Sequence, residues 1–162
     1  MNRKAIYPGT FDPVTRGHMD IIERASRIYD GVLVGVAHSG EKHPLFSVEE
    51  RVAMLKSAAS GFKNVRVENF DGLVIDYAKK KKVRVIIRGL RMISDFEFEF
   101  QMALTNRKLA KDIETIFMMT SDSYAYLSSK LIKEVVSHGA NIEKFVPPFV
   151  AAELRKKLHR HR

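Results

Sequence analysis

The sequence predicts an α/β fold: an open sheet of five parallel strands with helices on both faces and further helices at the C-terminal end. Three observations predict it. Five short apolar, β-branched runs alternate with segments of helical periodicity along the 162 residues. The runs are almost continuously apolar, as strands buried on both faces of a parallel sheet should be. A Gly/Pro-rich junction, Tyr7-Pro8-Gly9-Thr10-Phe11-Asp12-Pro13, separates the first run from the first helical segment, which is how a βα unit begins.

The elements follow in order. The first strand is Lys4–Tyr7 and the first helical pattern His18–Tyr29. Val32–Ala37 is the second strand. Val48–Ala59 is the second helix, introduced by Ser47-Val48-Glu49-Glu50 as a capping box. The third strand, Val65–Glu68, leads through Asp71-Gly72 into a helix over Leu73–Lys82. The lysines of that helix's last turn suit its negative end. Val83–Arg88 is the fourth strand, Ser94-Asp95 starts a helix over Asp95–Ala110, and Thr115–Met119 is the fifth strand. Residues 128–138 read as a short helix, and Pro147-Pro148 interrupts before a last helix, Phe149–Leu158. Gly31, Gly61 and Gly139 stand where helical patterns stop, where a left-handed residue is expected. No repeat or long linker divides the chain, so residues 1–162 read as a single Rossmann-like domain.

Composition narrows the function classes. With 45% hydrophobic and 29% charged residues, the chain has the profile of a soluble globular protein. No apolar run is long enough to span a bilayer, and no signal-peptide core follows Met1-Asn2-Arg3-Lys4, so a cytoplasmic protein without membrane contact is expected. The absence of cysteine excludes disulfides, thiolate metal sites and a cysteine nucleophile. A net charge of +9 favours an anionic partner. Part of it lies in Lys79–Lys82 and part in the tail, Arg155-Lys156-Lys157-Leu158-His159-Arg160-His161-Arg162. Both read as solvated surface. No aromatic platform or binding motif accompanies the tail, so nucleic acid is not an expected partner.

The chemistry concentrates in a few loops. At the first strand–helix junction, backbone N–H groups and a positive helix end converge, which is a phosphate site in α/β proteins. Here the junction also carries the Thr10 hydroxyl and the His18 imidazole. Gly9 allows a close turn. The alternative is an ordinary loop with Thr15 capping the helix. Ile87-Arg88-Gly89-Leu90-Arg91 follows the fourth strand on the same sheet edge, and two guanidinium forks suit a polyanion. The alternative is a pair of surface arginines matched to Asp95, Glu97 or Glu99. After the fifth strand, Ser121 to Lys130 adds hydroxyls and amides at a helix start. Lys42, in the loop after the second strand, would reach phosphate as a point charge, although a solvated lysine is the simpler reading there. A dehydrogenase fingerprint, Gly-x-Gly-x-x-Gly, does not follow the first strand. On the fourth helix Phe96 and Phe100 share one face, as do Asp95 and Glu99. Core or subunit packing explains the phenylalanines.

The string Thr10-Phe11-Asp12-Pro13-Val14-Thr15-Arg16-Gly17-His18 resembles the signature of the nucleotidyltransferase superfamily with a (His/Thr)-x-Gly-His motif, with Thr15 in its first position. From Ala5 to Ser129, through Arg88-Gly89-Leu90-Arg91, Asp95-Phe96-Glu97, Asn106-Arg107 and Leu127-Ser128-Ser129, the chain is similar to the bacterial phosphopantetheine adenylyltransferase family. The resemblance implies that ATP and 4′-phosphopantetheine give dephospho-coenzyme A and pyrophosphate, with Mg²⁺. It implies ATP contacts at Thr10, Phe11, His18, Gly89, Leu90, Arg91, Glu99, Tyr124, Ala125, Tyr126, Leu127, Ser128, Ser129 and Lys130. It implies phosphopantetheine contacts at Thr10, Lys42, Val74 and Arg88. His18 and Lys42 would then act on the α-phosphate, Thr10 would bridge the substrates and Arg91 would hold the β/γ-phosphates. No protein metal ligand is expected, since Mg²⁺ can bind through substrate phosphate and water. A homohexamer, as a dimer of trimers, is likewise implied by the resemblance. Another adenylyl- or cytidylyltransferase on the same fold is the nearest alternative.

Overall fold

The computed structural model describes residues 3–38 and 44–159. Five strands, β1 (Lys4–Gly9), β2 (Gly31–Ala37), β3 (Val65–Phe70), β4 (Val85–Leu90) and β5 (Glu114–Met119), form one sheet. Its pairings are all parallel, in the order β3-β2-β1-β4-β5. The helices are α1 (Arg16–Ile28), α2 (Val48–Ala58), α3 (Val74–Lys81), α4 (Ile93–Leu109), α5 (Ser129–Ser137) and α6 (Pro148–His159), with a 3₁₀ turn at Asp122–Tyr124.

Two apolar layers sandwich the sheet. On one face β1 and β2 side chains such as Tyr7, Val32, Val34 and Val36 pack against Ile21 and Ile22 of α1, Met54 and Leu55 of α2, Ile132 of α5 and Leu154 of α6. On the other, Ile6 and Ile86 meet Ile75 and Ala78 of α3 together with Ala110 and Ile113. Burying strands on both faces removes any need for polar alternation.

The topology creates an opening. The chain moves outward from β1 to β3, then crosses back to the other side of β1, so the winding reverses between β1 and β4. β1 pairs with β2 from Lys4↔Gly31 to Gly9↔Val36, but with β4 only at Ile6↔Ile86. The carboxyl ends of β1 and β4 therefore splay at the switch point, where open α/β sheets bind ligands.

Several boundaries differ from expectation. β4 begins at Val85 rather than Val83 and runs through Leu90 rather than Arg88, so Gly89 and Leu90 lie in the strand and not after it. The cause is the end of α3. Lys82 adopts the left-handed conformation (φ 55°) and the Val83 N–H bonds the Ala78 carbonyl, so Val83 belongs to the helix end. Of the three glycines expected at left-handed stops, only Gly139 has positive φ (82°), while Gly31 opens β2. Ser47 and Glu50 form the expected box on α2. The helices α3 and α4 start at Leu73 and Met92 without side-chain caps, since Asp71 bonds the Gly72 N–H and Asp95 turns to Arg91.

Candidate active site

β1, α1, β4 and α5 deliver their functional groups to one cleft of about 680 Å³ at the sheet switch point. Thr10, Phe11, His18, Arg88, Gly89, Arg91, Glu99, Leu127, Ser128, Ser129 and Lys130 all line it. A second, largely apolar cavity of about 290 Å³ adjoins it, lined by Val74, Leu73, Phe98, Met102 and Asn106 among others. Pro8, Gly9, Thr10, Arg88 and Glu99 belong to both walls, so the two spaces meet there. The structure thus brings Val74 and Arg88 to the smaller cavity and most of the expected nucleotide-side residues to the larger one. Tyr124, Ala125, Tyr126 and Leu90 do not line either. Ala125, Tyr126 and Leu90 instead border an apolar depression with Ile93, Phe96 and Met119, and Tyr124 packs its Cβ side near Gly17. Lys42 lies outside the described residues.

The first turn of α1 makes His18 a donor. Thr15 is the N-cap, and its hydroxyl accepts the His18 N–H at 3.2 Å. The ring reaches back, so that Nδ1 accepts the Thr15 N–H at 3.0 Å. The alternative reading of Thr15 as a helix cap is therefore correct, and it is part of the site. An acceptor Nδ1 places the proton of the neutral ring on Nε2. Burial, and then the nearby Arg91 and Arg88 guanidiniums, push the His18 pKa down to about 4. At neutral pH the site presents an uncharged imidazole with an N–H to offer.

Phe11 fixes that ring. It is buried, takes φ 53°, and meets His18 edge-on at 5.0 Å and Tyr7 at 5.5 Å. Gly9 serves this packing rather than a turn. It lies in β1, and a Cβ there would stand 2.8 Å from Phe11 Cζ.

The arginines line the cleft, and each is paired with an acidic residue that the alternative sequence reading named. Arg88 grips Glu99 with both arms, Nε to Oε2 at 2.7 Å and Nη2 to Oε1 at 2.5 Å, and gives Nη1 to the Pro8 carbonyl at 3.1 Å. Glu99 is the one buried residue of α4. Arg91 bonds Asp95 through Nε at 3.1 Å and reaches the Leu127 carbonyl at 2.9 Å, joining the β4 loop to the loop before α5. Among the described residues the cleft's four cations, Arg88, Arg91, Lys130 and Lys133, outnumber its three carboxylates, Asp12, Asp95 and Glu99. Each carboxylate is already held by a cation, Asp12 by Lys133 Nζ at 2.9 Å. No group of three or more acidic or His side chains able to hold a metal exists among the described residues.

Sequence reasoning missed Tyr7, Asp12, Arg51 and Lys133. Tyr7 lines the cleft, and burial pushes its hydroxyl pKa well up, so it stays protonated. Asp12 accepts the N–H groups of Leu45 and Phe46, both at 2.9 Å. Lys133 follows Lys130 by one helical step, a spacing that puts both on one face. Arg51 shares the apolar face of α2 with Met54 and Leu55, the one sign in the sequence that it is buried.

The chain is similar to known proteins over nearly its whole length. The cytidylyltransferase-like family model matches residues 6–135. The phosphopantetheine adenylyltransferase of Heliobacterium modesticaldum is 51% identical over 153 residues, 94% of this chain and 91% of that protein. That of Caldanaerobacter subterraneus subsp. tengcongensis is 53% identical over 155 residues, 96% and 97% of the two chains. A solved structure from Vibrio parahaemolyticus, described as a nicotinate-nucleotide adenylyltransferase, superposes with a TM-score of 0.71 at 19% identity, covering 100% of this chain and 98% of that one. The last likeness concerns the fold alone. On sequence identity over nearly its whole length, the chain belongs to the phosphopantetheine adenylyltransferases of the cytidylyltransferase-like family.

Proposed function

We propose that this protein transfers the adenylyl group of ATP to 4′-phosphopantetheine, giving dephospho-coenzyme A and pyrophosphate, the penultimate step of coenzyme A synthesis. The observation that carries the reading is the meeting of two unlike cavities at Thr10 and Arg88, one cationic and one apolar. The names of relatives at 51–53% identity support it. ATP takes the larger cleft. The pantetheine arm lies against Val74 and the apolar side chains of α4, and its phosphate reaches the junction.

The acceptor phosphate is anionic at neutral pH and needs no base. One of its oxygens bonds to the α-phosphorus in line, the bond from that phosphorus to the bridging oxygen breaks, and pyrophosphate leaves with the electron pair. The protein's part is positioning and charge stabilisation. His18 donates its Nε2 proton as a hydrogen bond to an α-phosphate oxygen, without transferring it. Lys42 adds a positive charge at the same phosphate. Thr10 bridges the two substrates, Arg88 steers the acceptor phosphate, and Arg91 and Lys130 hold the β/γ end beside Ser128 and Ser129. Mg²⁺, carried on the triphosphate, would neutralise further charge there.

The protein acts in the cytoplasm as a homohexamer, a dimer of trimers. No described helix is long and apolar enough to cross a membrane. The assembly reading is supported by α4, which exposes Phe96, Phe98, Phe100, Met102, Leu104 and Leu109 in the single chain while Phe96 and Phe100 stack at 5.5 Å. Light scattering should return about six times the 18.5 kDa chain mass.

The test is pyrophosphate release from Mg²⁺-ATP with 4′-phosphopantetheine, nicotinamide mononucleotide or glycerol 3-phosphate in parallel. Release with phosphopantetheine alone is expected. Release with another acceptor alone would overturn the substrate assignment.

A further inference from the structure

We infer that Asp20 and Arg24 are positioning residues: together they fix to α1 the start of the segment that brings Ser128, Ser129 and Lys130 to the ATP cleft. The inference rests on the reading that ATP takes the larger cleft, which those three residues line. β5 is the last strand of the sheet and pairs on one side only, with β4. Just past its end, the Thr120 N–H continues that pairing by donating to the Leu90 carbonyl at 2.9 Å. The peptide groups on either side of it go to α1 instead. The Met119 carbonyl accepts from Arg24 Nη1 at 2.6 Å. The Ser121 N–H donates to Asp20 Oδ2 at 3.1 Å. The same Oδ2 accepts from Arg24 Nη1 at 3.1 Å, which closes the clamp.

An acid and an arginine four residues apart on a helix are ordinarily a weak surface pair. Glu23 and Arg27 form such a pair on α1, with side chains 47% and 71% exposed. Asp20 differs. Its side chain is 16% exposed, and the pair it makes with Arg24 holds peptide groups 95 and 101 positions further along the chain. Thr120, between the two bonds, is buried and lines the cleft. The helix and the segment also touch there, since a Cβ on Gly17 would stand 3.5 Å from Thr120 Cγ2 and 3.6 Å from Tyr124 Cβ. Gly17 immediately precedes His18, so the clamp sets the segment against the same helix entry that presents His18. From Ser121 the chain makes the 3₁₀ turn Asp122–Tyr124, and the Leu127 N–H bonds back to the Tyr124 carbonyl at 3.0 Å. At the far end the Ser129 hydroxyl donates to the Pro13 carbonyl at 2.8 Å, just ahead of α1. The groups proposed to meet ATP therefore follow an anchor on α1 and end on another beside its start. Neither Asp20 nor Arg24 lines the cleft, so both act through the segment they hold.

The experiment titrates Mg²⁺-ATP into the full chain by calorimetry and reads KM for ATP, KM for phosphopantetheine and thermal unfolding in D20A, D20N and E23Q. D20A should weaken ATP binding and raise KM for ATP roughly tenfold, the scale of one lost hydrogen bond to a charged group. KM for phosphopantetheine should barely move. D20N, whose amide oxygen still accepts an N–H, should fall between D20A and wild type. E23Q, which removes the pair made within the helix, should match wild type in both KM values. Wild-type ATP affinity in D20A, or an equal rise in both KM values, would overturn the inference while leaving the ATP reading intact. A wild-type chain that does not bind Mg²⁺-ATP would overturn the ATP reading and the inference with it. Should D20A fail to fold, R24M, which frees the Met119 carbonyl and leaves the Ser121 N–H on Asp20, takes its place with the same readings.

Discussion

Replacing His18 by glutamate should leave the fold intact and stop turnover. His18 has two separable contributions, because its ring completes the cap of α1 through Nδ1 and presents Nε2–H to the cleft. Alanine removes both. The lost acceptor for the Thr15 N–H should cost about 1 kcal/mol of stability. The lost donor should raise the barrier by on the order of 3 kcal/mol, roughly a hundredfold or more in kcat. Glutamate and glutamine at this third helical position are the side chains that close a capping box, so either should restore the cap. Glutamine also offers an amide N–H toward the cleft, while glutamate sets a negative charge against the phosphates. The expected order of stability is wild type, Gln and Glu together, then Ala. The expected order of kcat is wild type, Gln, Ala, then Glu. Denaturant unfolding and steady-state pyrophosphate release measure the two series. A Glu variant within tenfold of wild-type turnover would refute the donor role.

The same ring predicts a pH signature. Its folded pKa, about 4, lies below the ordinary value of 6.5. Between those values the unfolded chain binds a proton that the native state refuses, so the ring's contribution is fully present above 6.5 and lost as pH falls toward 4. The full effect is about 3 kcal/mol by linkage, and water in the open cleft screens part of it. Stability of the Gln variant should fall less steeply over that window than wild type. A wild-type slope equal to the variant's would contradict a neutral imidazole in the folded cleft.

Three further outcomes follow from the packing and charge pairing. Gly9→Ala should destabilise by about 1–3 kcal/mol, because the new Cβ meets the Phe11 ring, and a variant of unaltered unfolding midpoint would show that the ring moves aside at no cost. Glu99→Gln should raise KM for phosphopantetheine more than KM for ATP, since it releases the forked grip on Arg88, and an equal rise in both would argue against a role on the acceptor side. Calorimetric titration of Mg²⁺ should show binding only when ATP is present, and tight binding to the free protein would reveal a protein ligand set that the paired carboxylates do not provide.

Much of this was legible in the chain. Alternating apolar runs and helical periods specify the doubly wound sheet, because strands buried on both faces and helices buried on one leave different patterns. The groups proposed for the phosphate side stood out for a related reason: glycine, hydroxyl and imidazole within ten residues at a strand end have few structural uses together. What escaped the reading depends on tertiary neighbours. Arg51 looks like any helical arginine until Thr10, Ala37 and Phe46 are seen to aim carbonyls at it. Asp12 reads as a turn former because Asp-Pro commonly is one, yet its carboxylate serves N–H groups more than thirty positions away. The start of β4 was misplaced because Lys82 takes a backbone conformation that sequence rules assign to glycine.

The pairing of cations with carboxylates along the cleft explains how a strongly basic site can exist before any phosphate arrives. Arg88, Arg91 and Lys133 would repel one another and scatter among rotamers if nothing held them. Glu99, Asp95 and Asp12 each hold one of them, partly or wholly shielded from water. The remaining cation, Lys130, keeps the cleft's sum positive without a carboxylate partner among the described residues. Each carboxylate takes part of its cation's charge, and the cleft keeps a net positive sum among the described residues. The carboxylates convert flexible charges into oriented ones. For a displacement at phosphorus that proceeds without a protein nucleophile, orientation set before binding is most of what a protein can contribute, and here the salt bridges that look merely structural are the means by which it is done.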